Sequence, residues 1–303
     1  MHDIELTGLD GSNLLGYLAA LGTLRALSME GPTAPTTPVR MSWADRGQWT
    51  PVLHHAHASG EDEVLSLLEQ RVCGENSIQS AWRIGNDLTL PCAEFGKLMR
   101  DAALGADTRS VEADYLAAFG SDVYGAGPKK EVISDTAFRT MSGAGHQHFL
   151  GFMRELAAST EREHLRRALF AQWDYADGRP SLRWDPADYR PHALRAVDPS
   201  GDPIRTMRGA NRLAVEALPL FPTVPQRRRV RTVGFEEGED GTGLAWPIWT
   251  DRLDVATVAS LLACANARGT EGKAARPGIA QIFKARRFTE GKYRNFTPAK
   301  ALL

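Results

Sequence analysis

Asp10-Gly11-Ser12-Asn13-Leu14-Leu15-Gly16-Tyr17-Leu18-Ala19-Ala20-Leu21-Gly22 sets the reading of this chain, because a turn, a helix cap and an apolar helix follow one another without interruption. Asp10 to Asn13 carries turn and N-cap chemistry, which predicts a helix over 14–29. Leu14, Leu18 and Leu21 recur at helical spacing, while Tyr17, Leu24 and Leu27 cover the neighbouring faces. A helix that is apolar on several faces belongs in the centre of a protein, and Gly16 and Gly22 then mark places where another backbone comes close. The same run is neither a signal-peptide core nor a membrane span. Asp3, Glu5 and Asp10 precede it instead of a basic segment, and Arg25 interrupts it before the roughly 18–20 residues that a span requires. A soluble, cytoplasmic protein without membrane contact is the expectation.

Outward from this helix, residues 2–7 alternate like a strand, and 31–38, with three prolines, reads as a loop. The β-prone runs 39–43 and 49–53 flank Ala44-Asp45-Arg46-Gly47 and form a hairpin pattern. Helical spacing of Leu, Met and Phe marks 61–72, 94–104, 111–119, 146–158 and 162–170. Beyond Ala171 the texture turns to Trp, Pro, Asp and Arg, with a helix expected over 207–218, strands near 229–235 and 244–249, a helix over 255–267 and a basic tail. The prediction is α+β: an N-terminal strand, buried helix and β-hairpin, a helical middle, and a mixed, Arg-rich C-terminal third. Two portions are expected, 1–171 and 172–303, with their boundary between 171 and 204.

Composition narrows the function. The 303 residues carry 36 Lys and Arg against 37 Asp and Glu, a net charge of −1, so any anion site is local. At 43% hydrophobic and 24% charged, the chain has the material for a packed core. Three widely spaced cysteines (Cys73, Cys92, Cys264) offer neither a disulfide framework nor a zinc ribbon, fit a reducing cytosol, and are expected in the core. Catalytic motifs are missing. Gly269-Thr270-Glu271-Gly272-Lys273-Ala274 lacks the terminal hydroxyl and spacing of a phosphate-cradling loop, and there is no dinucleotide fingerprint, nucleophile elbow or HExxH helix. No cofactor and no catalytic residue is predicted. The one metal-based alternative is a hydrolase or nuclease using His55, His57, His146 and His148 with Asp135. Exposed loop histidines are the simpler reading.

The cations are distributed unevenly. Residues 273–303 hold eight Lys or Arg and one acid, Glu290, so this tail carries +7 and the preceding 272 residues −8. Lys284, Arg286, Arg287, Lys292 and Arg294 are interleaved there with Phe283, Phe288, Tyr293 and Phe296, a pattern suited to phosphates beside stacked bases. A second cluster, Arg205, Arg208 and Arg212, has the spacing of one helix face near a helix start, where anions are favoured. In the third, Arg227, Arg229 and Arg231 would share one face of a strand. These twelve residues (Tyr293 included) form the predicted nucleic-acid-binding set. Internal pairing of the arginines is the alternative, giving a scaffold without nucleic-acid contact.

The string from Gly8 to Arg25 resembles the G-x-x-x-x-P-L-x-x-Y-L-x-A-L-G-x-L-R start of proteins encoded in type I-G (formerly I-U) CRISPR loci, including their large effector subunits, without that pattern's Pro. Arg183-Trp184-Asp185-Pro186, Arg208-Gly209-Ala210-Asn211-Arg212, Trp246-Pro247-Ile248-Trp249 and Lys292-Tyr293-Arg294-Asn295-Phe296 resemble a shorter accessory family of the same loci. The resemblance implies a non-catalytic antiviral-defence protein. Its implied partners are the subunits of a crRNA-guided effector complex, their helicase-nuclease, and RNA or DNA backbone.

Overall fold

The computed structural model describes residues 2–29, 37–55, 57–74, 84–104, 110–126, 131–141, 147–188, 205–226, 229–238, 241–264, 278–290 and 293–302. In chain order its elements are β1 (His2–Glu5), α1 (Leu14–Ser28), β2 (Arg40–Asp45), β3 (Trp49–His55), α2 (Glu61–Val72), α3 (Cys92–Leu104), α4 (Val111–Phe119), β4 (Gly120–Ala126) and β5 (Val132–Asp135). Then follow α5 (Phe149–Ser159), α6 (Arg162–Phe170), α7 (Arg208–Ala217), β6 (Thr223–Gln226), β7 (Arg229–Thr232), β8 (Phe235–Gly238), β9 (Gly241–Trp249), β10 (Leu253–Asp254), α8 (Val255–Ala263), β11 (Ile279–Glu290), β12 (Tyr293–Phe296) and β13 (Lys300–Ala301). The architecture is α+β, as the sequence predicts.

Helix α1 is the axis of the core. Asn13 caps it, its Oδ1 accepting from the N–H groups of Leu15 and Gly16, and every residue from Leu14 to Leu27 is buried. An antiparallel sheet in the order β1-β3-β2-β10 covers one side, presenting Ile4, Leu53 and Met41 in cross-strand register. Against another side lies α7, so near that a Cβ at Gly22 would stand 1.7 Å from the Leu213 carbonyl oxygen. A Cβ at Gly16 would stand 2.5 Å from that of Asp10. Gly16 and Gly22 therefore permit a close approach that no larger residue allows.

A second antiparallel sheet, β12-β11-β9-β8 with β13 also on β11, is built from the C-terminal third. The basic stretch predicted as a tail is thus an inner strand, with β9 along one edge and β12 and β13 along the other. Two indole N–H groups tie this sheet to the first half: Trp246 donates to the Gly11 carbonyl at 2.8 Å and Trp249 to that of Met41 at 2.9 Å. Tyr17 and Trp43 stack with centroids 5.6 Å apart, and Trp246 and Trp249 close the same aromatic cluster. Apolar area of this kind, removed from water across three elements, is the main force joining them.

Other departures from the sequence reading are local. The helical middle contains a hairpin, β4–β5, because Gly120, Asp122 and Gly125 mask its alternation as turn signals. The single strand expected near 229–235 is two, β7 and β8, turning at Gly234 with φ +88°, and β6 pairs with β7. Cys73 and Cys92 are only half-buried and Cys264 is exposed, so the cysteines are not uniformly core residues. Among the described residues no helix is long and apolar enough to cross a membrane.

Candidate nucleic-acid interface

Strand β11 distributes its cations by the two-residue alternation of side chains. Lys284 and Arg286 leave from one face, whereas Phe283, Ala285 and Arg287 leave from the other, where Phe283 and Ala285 are buried. On the first face the neighbouring strands contribute Gly243 opposite Arg286 and Lys300 opposite Lys284. The result is a groove of about 760 Å³ lined by Gly238, Gly241 and Gly243, with Lys284, Arg286 and Lys300 and the rim residues Thr297 and Pro298. Where side chains are absent, the floor is backbone. Like charges directly opposite on a sheet repel, yet Lys284 and Lys300 face each other and none of the three cations has an ion pair among the described residues. By alternation Glu236 shares this face, two strands from Arg286 and therefore about 10 Å away, near the screening length of physiological salt.

Arg287 and Arg294 occupy the opposite face, so the predicted tail cluster is split between two surfaces. Arg287 donates through Nη1 to the Ala137 carbonyl at 2.8 Å, and Arg294 through Nη1 to that of Arg139 at 3.3 Å. Burial, then the nearby Arg294, pushes the Arg287 guanidinium below the usual arginine range. Two of the aromatics predicted to stack on bases are spent otherwise. Phe296 is fully buried beside Phe235, and Phe283 packs on Trp246. Tyr293 opens β12 by its backbone, and Lys292 lies outside the described residues.

The second cluster is corrected. Helix α7 begins at Arg208, so exposed Arg205 precedes it and the three arginines do not line one face. The helix start already holds an anion, the Asp177 carboxylate, which accepts from the Arg208 N–H at 2.9 Å and pairs with Arg167 at 2.8 Å. The Arg208 guanidinium donates to the carbonyls of Ser159 and Arg179. Arg212 is fully buried: Nε donates to the Val72 carbonyl at 2.7 Å and Nη2 meets Glu216 at 2.9 Å. Glu216 in turn binds Arg25 at 3.1 Å and accepts from the Tyr115 hydroxyl at 2.7 Å. Burial and the Glu216 pair therefore take Arg212 out of any nucleic-acid surface, whereas the half-buried Arg208 guanidinium is bonded, among the described residues, only to carbonyls. In the third cluster Arg229 and Arg231 are exposed on one face of β7, as predicted, but Arg229 pairs with Glu237, and Arg227 lies outside the described residues.

The histidines do not converge. His55 Nδ1 accepts from the N–H groups of His57 and Ala58 at the end of β3, His148 precedes α5, and Asp135 is paired with Arg139 at 2.8 Å. His146 lies outside the described residues, among which no group of three or more His, Cys, Asp or Glu is placed to hold a metal. His54, which the sequence reading passed over, sits instead in a chain across three strands. Its Nδ1 is 2.7 Å from Asp3 and its Nε2 2.9 Å from the Ser42 hydroxyl. Ser42 is 8% exposed in mid-strand, and this chain of polar contacts ties β1, β2 and β3 together.

No protein-family model and no curated protein matches the chain.

Proposed function

We propose that this protein binds the phosphate backbone of a nucleic acid along the groove of its C-terminal sheet, as a non-catalytic partner of a crRNA-guided complex of the kind its sequence resembles. The observation that carries the reading is the set Lys284, Arg286 and Lys300, three cations without carboxylate partners among the described residues, around a floor of glycines. A polymer whose charge is repeated along its length suits an open groove of this size, and the glycine floor lets its backbone come close. Effector-complex subunits and the associated helicase-nuclease are the proteins beside which such a groove would work. The burial of Arg212 and its pair with Glu216 favour a structural role for that residue, and the scaffold reading is confined to it.

Salt titration tests the proposal. If the three cations meet phosphates of a single strand, log affinity falls against log salt with a slope of roughly −2, from about −0.7 per contact. Fluorescence anisotropy with labelled RNA, single-stranded DNA and duplex should show that slope in the wild type and a flatter one in Lys284→Ala/Arg286→Ala, with affinity reduced alike for all sequences. Wild-type binding that is absent, or insensitive to salt, would overturn the reading.

A further inference from the structure

We propose a second anion site, on the face of the C-terminal sheet opposite the groove, that takes a single phosphate group. It is a cavity of about 180 Å³ between the β6–β7 hairpin and the sheet, lined among others by Arg231, Arg287, Arg294, Asp135 and Glu237. At this size it is below the range of pockets for whole organic ligands and suited to a compact group.

The charge arrangement identifies the ligand's sign. Two of the three acids in the lining are bound by arginines outside it: Asp135 is held by Arg139, which also binds Asp87 at 2.9 Å, and Glu237 is paired with Arg229. The third, Glu236, lines the cavity from a position whose side chain alternates to the groove face of β8. Arg287 and Arg294 are fixed by carbonyl oxygens, not by carboxylates. A carbonyl orients a guanidinium without neutralising it, and one accepted hydrogen bond leaves the other N–H donors of each fork for a ligand. Two half-buried guanidiniums near enough to repel, with exposed Arg231 at the mouth, form a preorganised set of donors that a tetrahedral oxyanion satisfies bidentately. The phosphate group is either free orthophosphate or the terminal phosphomonoester of a nucleotide or strand. This site is independent of the groove, since the two share no lining residue.

Isothermal titration with orthophosphate, adenosine 5′-monophosphate, and a tetranucleotide carrying either a 5′-phosphate or a 5′-hydroxyl tests it at constant ionic strength. Saturable binding of orthophosphate to the wild type is expected, weakened roughly tenfold or more in Arg294→Gln and in Arg231→Gln. Because Arg231 is exposed and Arg294 is bonded to a carbonyl at 3.3 Å and, among the described residues, to no carboxylate, far-UV circular dichroism should show both variants folded. Lys284→Ala/Arg286→Ala should bind orthophosphate like the wild type whatever it does to nucleic acid, which separates this site from the groove. Equal affinity for orthophosphate and the phosphorylated tetranucleotide indicates the free ion. Tighter binding of the phosphorylated strand, with none of the hydroxyl form to the groove variant, indicates a strand end. No saturable phosphate binding by the wild type, or binding unchanged in both arginine variants, would overturn the proposal.

Discussion

At the scale of single residues, Glu216 decides which arginines are available to a ligand. Its carboxylate, 3% exposed, lies between Arg25 and Arg212, whose side chains are 6% and 0% exposed, and Tyr115 completes its shell. Charges so enclosed are tolerated only together, since each alone bears the full cost of leaving water. Glu216→Ala is expected to destabilise the protein by about 3–5 kcal/mol, since it removes the carboxylate of buried Arg212 and leaves Arg25, among the described residues, only that of Asp114, at 3.8 Å. Arg286→Ala, on the groove face, should change stability by less than about 0.5 kcal/mol. Urea denaturation of both variants checks this contrast, and equal midpoints would deny the buried cluster its structural role. The sequence offers Glu216 as an internal partner for the arginine cluster, but not the rest of this assembly. Arg212 and Glu216 show an i, i+4 spacing, but Arg25 joins them from 191 residues away, and only the α1–α7 crossing turns a surface-like motif into an interior one.

Elements that bury a regular pattern were the easiest to read. Helices α2, α4 and α6 fall on their predicted limits and α1 within one residue, because each repeats its apolar residues at helical spacing. Strand β11 escaped because cations leave from both of its faces, so neither an apolar nor a polar face stands out in Ile279–Glu290. For the same reason its basic residues could be recognised as a cluster but not divided between the two faces, Lys284 and Arg286 on one and Arg287 on the other. The glycine-borne crossing of α1 and α7 yields a sharper prediction. Gly22→Ala places a methyl group where the Leu213 carbonyl oxygen already stands, and the two helices must separate. A loss of about 1–3 kcal/mol is expected, read as a lowered denaturation midpoint, although alanine is the better helix former. A stabilised Gly22→Ala protein would show that the helices do not meet there.

Over the whole molecule, the halves of the chain are interleaved. Strand β10 completes the N-terminal sheet, α7 packs on α1, and the indoles of Trp246 and Trp249 reach back to Gly11 and Met41. Unfolding followed by tryptophan fluorescence and by far-UV circular dichroism should therefore give coincident transitions. Separated midpoints would mean that the C-terminal sheet comes apart independently of α1. The division of labour along β11 has a further consequence for how this sequence can vary. Arg286 and Arg287 are adjacent in the chain yet serve opposite surfaces. A single residue gained or lost just before them would exchange their faces, emptying the groove and the cavity at once, whereas a change of two would return each cation to its side. Length variants of this strand that retain both surfaces should differ by even numbers of residues.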